Sequence, residues 1–104
     1  MGRVARPKPE RLAEKLLQIR LALGQSQNGM LRVLGLDEKV FRSAISGYEL
    51  GTREPPLPVL LEYARVANVY VDALINDAVE LPPKIPSRKK HEGIMRVAVS
   101  RRKR

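Results

Sequence analysis

The feature that most constrains this chain is the spacing of its apolar residues, which recur in short runs of helical period. Leu12, Leu16, Ile19 and Leu23 follow one another at intervals of three or four residues, so they share one face of an α-helix. Gly24 follows directly and is a typical helix stop. No apolar–polar alternation runs long enough in this part of the chain to predict a strand. The sequence therefore predicts an all-α fold.

The same spacing predicts a small five-helix bundle. We expect helix 1 over about residues 9–23 and helix 2 over about 27–34, with Ser26 as its N-cap. Helix 3 is expected between an Asp37 N-cap and Gly51, helix 4 from Pro58 to a stop at Asn68, and a short helix 5 over 72–75. The predicted core consists of Leu16, Ile19, Leu23, Leu34, Ile45, Leu61, Ala64 and Leu74.

Charge divides the chain into three parts. The net charge is +9, from 20 basic and 11 acidic residues, and most of the excess follows Pro82. We predict a basic N-terminal arm over residues 1–8, a folded domain over 9–77, and a Pro-containing linker with a basic tail over 78–104, the arm and tail tending to disorder. The tail points to a polyanion, most often nucleic acid, or else only aids solubility. Within it, residues 94–99 are either disordered or a short segment that orders on a partner.

Several function classes are excluded by composition. The chain has no cysteine and one histidine, and no motif supplies a nucleophile with a base, a metal cluster or a phosphate loop. We therefore expect no enzyme, no metal and no cofactor. No apolar run approaches the roughly 20 residues of a spanning helix, and no apolar stretch follows the basic N-terminus. We expect no membrane contact and a cytoplasmic protein.

Four segments together carry a resemblance to a known family. They are the end of helix 1 from Leu17 to Gly24, the run Gln25–Leu31, the run Ala44-Ile-Ser-Gly-Tyr-Glu-Leu-Gly51, and the stretch Pro55–Ile75 with its Val-x-Val-Asp-x-Leu close. With these segments, residues 12–77 resemble the Xre family, the Cro- and phage-repressor-like helix-turn-helix DNA-binding domain. The resemblance implies a sequence-specific transcriptional regulator that places helix 3 in the major groove and binds as a homodimer.

Site residues come from helical geometry and from the resemblance. Helical spacing puts Arg42, Ser43, Ser46 and Gly47 away from the apolar face of helix 3, where Arg42 could grip guanine. The resemblance assigns base reading to this face, a DNA contact to Gln27 and a structural role to Glu49, which can accept from Arg20 or a nearby amide. Further phosphate contacts are expected from the tail residues Arg88, Lys89, Lys90, Arg101, Arg102, Lys103 and Arg104.

The chain departs from the family pattern between helices 2 and 3. Residues Asp37–Val40 look like a four-residue insertion, which is close to one helical turn of about 3.6 residues. Because Asp37 can cap and Gly35 sits badly inside a helix, we expect the insertion to lengthen the start of helix 3 and not the end of helix 2. The insertion also favours an alternative function, an antitoxin or protein-interaction adaptor with a possible protein partner.

Overall fold

The chain folds into five short helices packed around one aliphatic core. The structure is a computed structural model that describes residues 8–88, and this part contains no strand. The helices are α1 (Leu12–Ala22), α2 (Gln27–Leu34), α3 (Ala44–Leu50), α4 (Leu57–Ala67) and α5 (Val71–Ile75). The predicted all-α, five-helix fold is confirmed. Most of the predicted basic arm, the tail from Lys89 onward and the segment 94–99 lie outside the described residues.

Local signals determine where most helices end. The Ser26 hydroxyl accepts a hydrogen bond from the Gly29 N–H at 2.9 Å, as expected of an N-cap. Gly35 closes α2 in the left-handed region, with φ of 74°. Asn68 closes α4 in the same conformation, with φ of 57°. These predicted boundaries are confirmed, because each depends on the side chain or the backbone freedom of one residue.

The core contains most of the residues predicted for it, but Leu61 is an error. Leu16, Ile19, Leu34, Ile45, Ala64 and Leu74 are buried, and Leu23 is half-buried against the core. Leu61 is 55% exposed, whereas its neighbour Leu60 is 6% exposed. The buried face of α4 is centred near Tyr63 and Ala67, and Leu61 lies about 130° around the helix from that centre at about 100° per residue.

The predicted extension of helix 3 is wrong. α2 ends at Leu34 as expected, but α3 begins only at Ala44. Asp37 instead caps a separate turn, in which its Oδ1 accepts from the N–H groups of Lys39 and Val40 at 2.8 and 3.1 Å. The chain then leaves helical geometry before Ala44, and Val40 is 74% exposed. The inserted residues therefore stand out from the bundle and do not continue the apolar face of α3.

The segment after α5 packs on the helices as far as Arg88. Leu81 is buried, and Val79 and Ile85 pack against the core. The Ser87 N–H donates to the Ala67 carbonyl at 2.9 Å. The interpretation of this stretch as a linker therefore differs from the structure. The sequence did not indicate this packing, because Val79, Leu81 and Ile85 contact the core singly and without helical spacing, among several prolines.

Candidate nucleic-acid interface

A buried ion pair joins α1 to α3. The Arg20 guanidinium donates to both carboxylate oxygens of Glu49, from Nε at 2.7 Å and from NH2 at 3.0 Å. It also donates to the Gln25 carbonyl at 3.0 Å, so the start of α2 is held as well. The Glu49 side chain is only 6% exposed, and its hydrogen bonds to Arg20, together with its charge, raise the pKa of Arg20. The structural role predicted for Glu49 is confirmed.

Gln27 lies in the exposed first turn of α2, at the place predicted for a phosphate contact. Its side-chain nitrogen donates to Glu49 Oε1 at 3.2 Å. One of its amide donors is therefore directed at a carboxylate within the protein. The phosphate contact of Gln27 stays a prediction, and any phosphate would approach beside the charge of Glu49, which Arg20 balances.

The side chains of Arg42 and Ser43 are exposed immediately before α3. Neither side chain forms a hydrogen bond or ion pair with another residue of the 8–88 segment, and the same holds for the exposed Lys39. Ser46 and Gly47 follow one turn later and are half-buried. The four predicted base-reading residues therefore lie close together in the chain, within residues 42–47. Arg42 and Ser43 are accessible to a ligand, whereas Ser46 and Gly47 are only partly accessible.

Gly47 lies beneath the side chain of Arg53. A β-carbon built on Gly47 would approach Arg53 Cδ to 2.8 Å and Cγ to 3.0 Å, so any larger residue here would have to displace the Arg53 side chain. The Gly47 carbonyl also accepts from the N–H groups of Thr52 and Arg53. Arg53 was not among the predicted site residues. The signal that could have indicated it is a mid-helix glycine followed by an arginine just beyond the helix end.

Free charge beside α2 and α3 is positive. Residues 25–47 contain three basic side chains, Arg32, Lys39 and Arg42, and two acidic ones, Asp37 and Glu38. Arg32 and Glu38 pair with each other at 3.1 Å. The Asp37 carboxylate accepts backbone N–H groups. Among residues 25–47, the charged side chains without a partner in the described part of the chain are therefore Lys39 and Arg42.

The region around α5 has the opposite charge. Residues 70–81 contain three acidic side chains, Asp72, Asp77 and Glu80, and no basic one. Arg11 of the chain before α1 donates to Glu80 from NH1 at 2.9 Å and from NH2 at 3.0 Å, and this contact lowers the pKa of Glu80. Arg11 thus offsets the charge of Glu80, and a polyanion is favoured beside α2 and α3, where Lys39 and Arg42 have no partner among the described residues.

Lys15 is a buried cation that the sequence analysis missed. Its side chain is fully buried, and its ammonium donates to the carbonyls of Ala73, Asn76 and Val79 at 2.9, 2.9 and 2.6 Å. Desolvation lowers the pKa of Lys15. The position between Leu12 and Ile19 on the apolar face of α1 was an available signal. The role of Lys15 is to hold the end of α5 on α1.

Of the predicted tail contacts, Arg88 is exposed and the others lie beyond the described residues. No helix in residues 8–88 is long and apolar enough to cross a membrane. Over the same residues, no three histidine, aspartate or glutamate side chains are grouped closely enough to hold a metal ion. Comparison with protein-family models, with curated proteins and with solved structures finds no match to this chain.

Proposed function

We propose that this protein is a sequence-specific DNA-binding regulator of transcription, the function implied by its resemblance to the Xre family. The observation that carries the proposal is the pair of unpartnered cations, Lys39 and Arg42, next to the exposed hydroxyl of Ser43. They stand beside helices that the Arg20–Glu49 ion pair holds together. A rigid support of this kind keeps hydrogen-bonding groups in register with base edges.

The chemistry of these groups suits a DNA duplex. An arginine side chain can donate two parallel hydrogen bonds to O6 and N7 of guanine, and a serine hydroxyl can donate or accept at several bases. Lysine side chains and the basic tail neutralise phosphates without reading sequence. Lys39 and Arg42, the unpartnered cations of residues 25–47, lie in the α2–α3 connection, so the molecule would approach the duplex with α2 and this connection first.

Under this proposal the protein acts in the cytoplasm by binding, without catalysis or a cofactor. One small domain reads few base pairs, so we expect a homodimer on a pseudo-palindromic site. Its half-sites would lie about one helical turn apart, as is usual for dimeric helix-turn-helix proteins. The connection between α2 and α3 is longer than the usual turn of 3–4 residues, so the crossing of the two helices over the groove is expected to differ.

The test is selection of binding sites from random oligonucleotides with the full chain, followed by affinity measurements on the selected site and on a scrambled one. Arg42→Ala should cost about 1–3 kcal/mol on the selected site and relax its specificity at one position. Arg65→Ala is the matched control, because Arg65 is an exposed arginine of α4 that pairs with Glu62. If no sequence is enriched, the protein is not a sequence-specific DNA-binding protein.

The alternative is a protein-interaction adaptor, and one observation favours it. Leu57 and Leu61 are 77% and 55% exposed, one turn apart on α4. Leu61 also borders a shallow groove that continues to Val69 and Val71. Exposed apolar surface of this kind is typical of protein contacts. The same selection separates the two functions, because an intact adaptor would enrich no DNA sequence.

A further inference from the structure

We infer that the turn over residues 37–43, and not α3, reads the DNA bases, and that the Val40 side chain contacts the C5-methyl group of a thymine. This inference rests on the proposed DNA-binding function. It assigns a specific role to an exposed apolar residue that neither helical spacing nor the family resemblance indicated.

α3 has few side chains left for a ligand. Three of its seven residues are buried, namely Ala44, Ile45 and Tyr48. Glu49 is held by Arg20, and Gly47 is covered by Arg53. Ser46, which is half-buried, and Leu50 remain. A helix with one accessible hydrogen-bonding side chain cannot distinguish several base pairs, because each pair requires its own donor, acceptor or methyl contact.

The turn, in contrast, presents its side chains outward on a fixed backbone. Lys39, Val40, Arg42 and Ser43 are all exposed. The Asp37 carboxylate accepts hydrogen bonds from the N–H groups of Lys39 and Val40. The Phe41 N–H donates to the Asp37 carbonyl at 3.0 Å, so the backbone of the turn is held at both points. A rigid turn of this kind loses little conformational entropy when it binds.

Phe41 anchors the turn from below. Its side chain is half-buried and packs against the core, which leaves Val40 before it and Arg42 after it directed away from the bundle. Val40 is 74% exposed, one of the most exposed large apolar side chains of the 8–88 segment.

The neighbours of Val40 identify its partner. A branched apolar side chain in water is favoured at a contact, and two unpartnered cations flank this one in sequence. The partner must therefore present an apolar group close to negative charge. The major groove of DNA does so, because the thymine C5-methyl group lies between two phosphate backbones. Arg42 and Ser43 can then meet the base edges next to it.

The experiment removes that methyl group alone. Each thymine of the selected site is replaced in turn with deoxyuridine, and the affinity of the full chain is measured. At one thymine per half-site we expect a loss of about fourfold, the value for one buried methyl group. Val40→Ala should weaken binding to the thymine-containing site to a similar extent and should no longer respond to the replacement.

Leu50→Ala is the matched control, because Leu50 is an equally exposed apolar residue on α3. It should keep the full response to deoxyuridine. Thermal melting checks that Val40→Ala folds, which is expected because so exposed a side chain contributes little to the core.

Three results would overturn the inference and leave the proposed function intact: an enriched site without a methyl-dependent thymine, a Val40→Ala protein that still senses the methyl group, or specificity that responds to Ser46→Ala but not to Val40→Ala. Failure to enrich any site overturns the proposed function and this inference together. Binding of an acidic protein at Lys39 and Arg42 would then be the hypothesis to pursue.

Discussion

Leu60 and Leu61 are adjacent leucines of α4 with opposite surroundings. Leu60 is 6% exposed and packs in the core, whereas Leu61 is 55% exposed. The two positions share residue type, helix and sequence context, so a difference in their contribution to stability reports only on burial.

We expect Leu60→Ala to lower the free energy of unfolding by about 2–5 kcal/mol, because it removes buried methyl groups and leaves a cavity. Leu61→Ala, the matched control, should change it by roughly 0.5 kcal/mol or less. Urea denaturation followed by circular dichroism measures both. Equal losses would mean that α4 packs with another face.

Tyr63 is a second residue of α4 whose surroundings lead to a prediction. Its side chain is fully buried, and its hydroxyl has no hydrogen-bond partner within residues 8–88. Burial raises the pKa of this hydroxyl. A buried, unpaired hydroxyl costs about 1–3 kcal/mol.

Tyr63→Phe keeps the ring and removes that cost, so the melting temperature should stay the same or rise. Tyr63→Leu, which replaces the aromatic ring with a smaller aliphatic side chain and opens a cavity, should lower it. A marked loss of stability in Tyr63→Phe would reveal that the hydroxyl has a partner.

At the scale of elements, α1 depends on residues far along the chain at both of its ends. The two residues just before its first turn are held by the Asp77 carboxylate, which accepts from the N–H groups of Glu10 and Arg11 at 2.9 and 3.0 Å. Its last turn carries Arg20, which binds Glu49. Between them, Lys15 binds three carbonyls around the end of α5. These contacts bring α1, α3 and α5 together.

Lys15→Met should destabilise the fold by about 3 kcal/mol or more, because it keeps most of the apolar stem and leaves three carbonyls without their donor. Lys39→Met, on the exposed turn, is the control and should have little effect. Chemical denaturation gives both values. A stable Lys15→Met protein would show that water can replace the ammonium.

Asp77→Asn should weaken the dependence of stability on acid pH. The two N–H groups lower the pKa of Asp77 in the folded chain below its unfolded value. The carboxylate therefore contributes stability above about pH 4, and this contribution is lost as the pH falls through the folded pKa. Thermal melting from pH 7 to pH 2 should show a shallower decline for the variant. Identical declines would exclude the contact of Asp77 with these two N–H groups as a source of acid sensitivity.

At the scale of the whole molecule, positive charge is concentrated at the end of the chain. Residues 89–104 contain seven basic residues and one acidic residue, Glu92, whereas residues 70–81 contain only acidic ones. The Ser87 N–H donates to the Ala67 carbonyl, so the last described residues lie beside the end of α4. A segment of such composition can meet any phosphate and should add affinity without selectivity.

We expect replacement of Arg101, Arg102, Lys103 and Arg104 by glutamine to weaken binding to selected and scrambled DNA alike. The slope of log affinity against log salt should flatten by about 0.9 for each phosphate that the variant no longer neutralises. Titrations at several salt concentrations measure this slope, with Arg42→Ala as the contrasting variant. Loss of discrimination in the glutamine variant would assign base reading to the tail.

The sequence by itself determined the helical class and most helix ends, because these depend on neighbours within a few residues. The apolar stripe of α1, the Ser26 cap and the left-handed Asn68 act locally. The ion pair of Glu49 with Arg20 was also predictable, although only through the resemblance. The predicted DNA contacts follow from residue type and position and stay predictions.

Only the tertiary structure decided which of two adjacent leucines of α4 is buried, that Lys15 lies inside, and where the inserted residues go. Leu60 and Leu61 have the same hydropathy, and only packing against the other helices makes one of them core. Lys15 is tolerated inside because the backbone, some 60 residues further along the chain, places three carbonyls around it. Asp37 could cap a longer helix or a single turn; in the structure it caps a turn in which Phe41 packs against the core while Val40 is exposed. These features depend on contacts between residues that are far apart in sequence, so they cannot be predicted from a local sequence pattern.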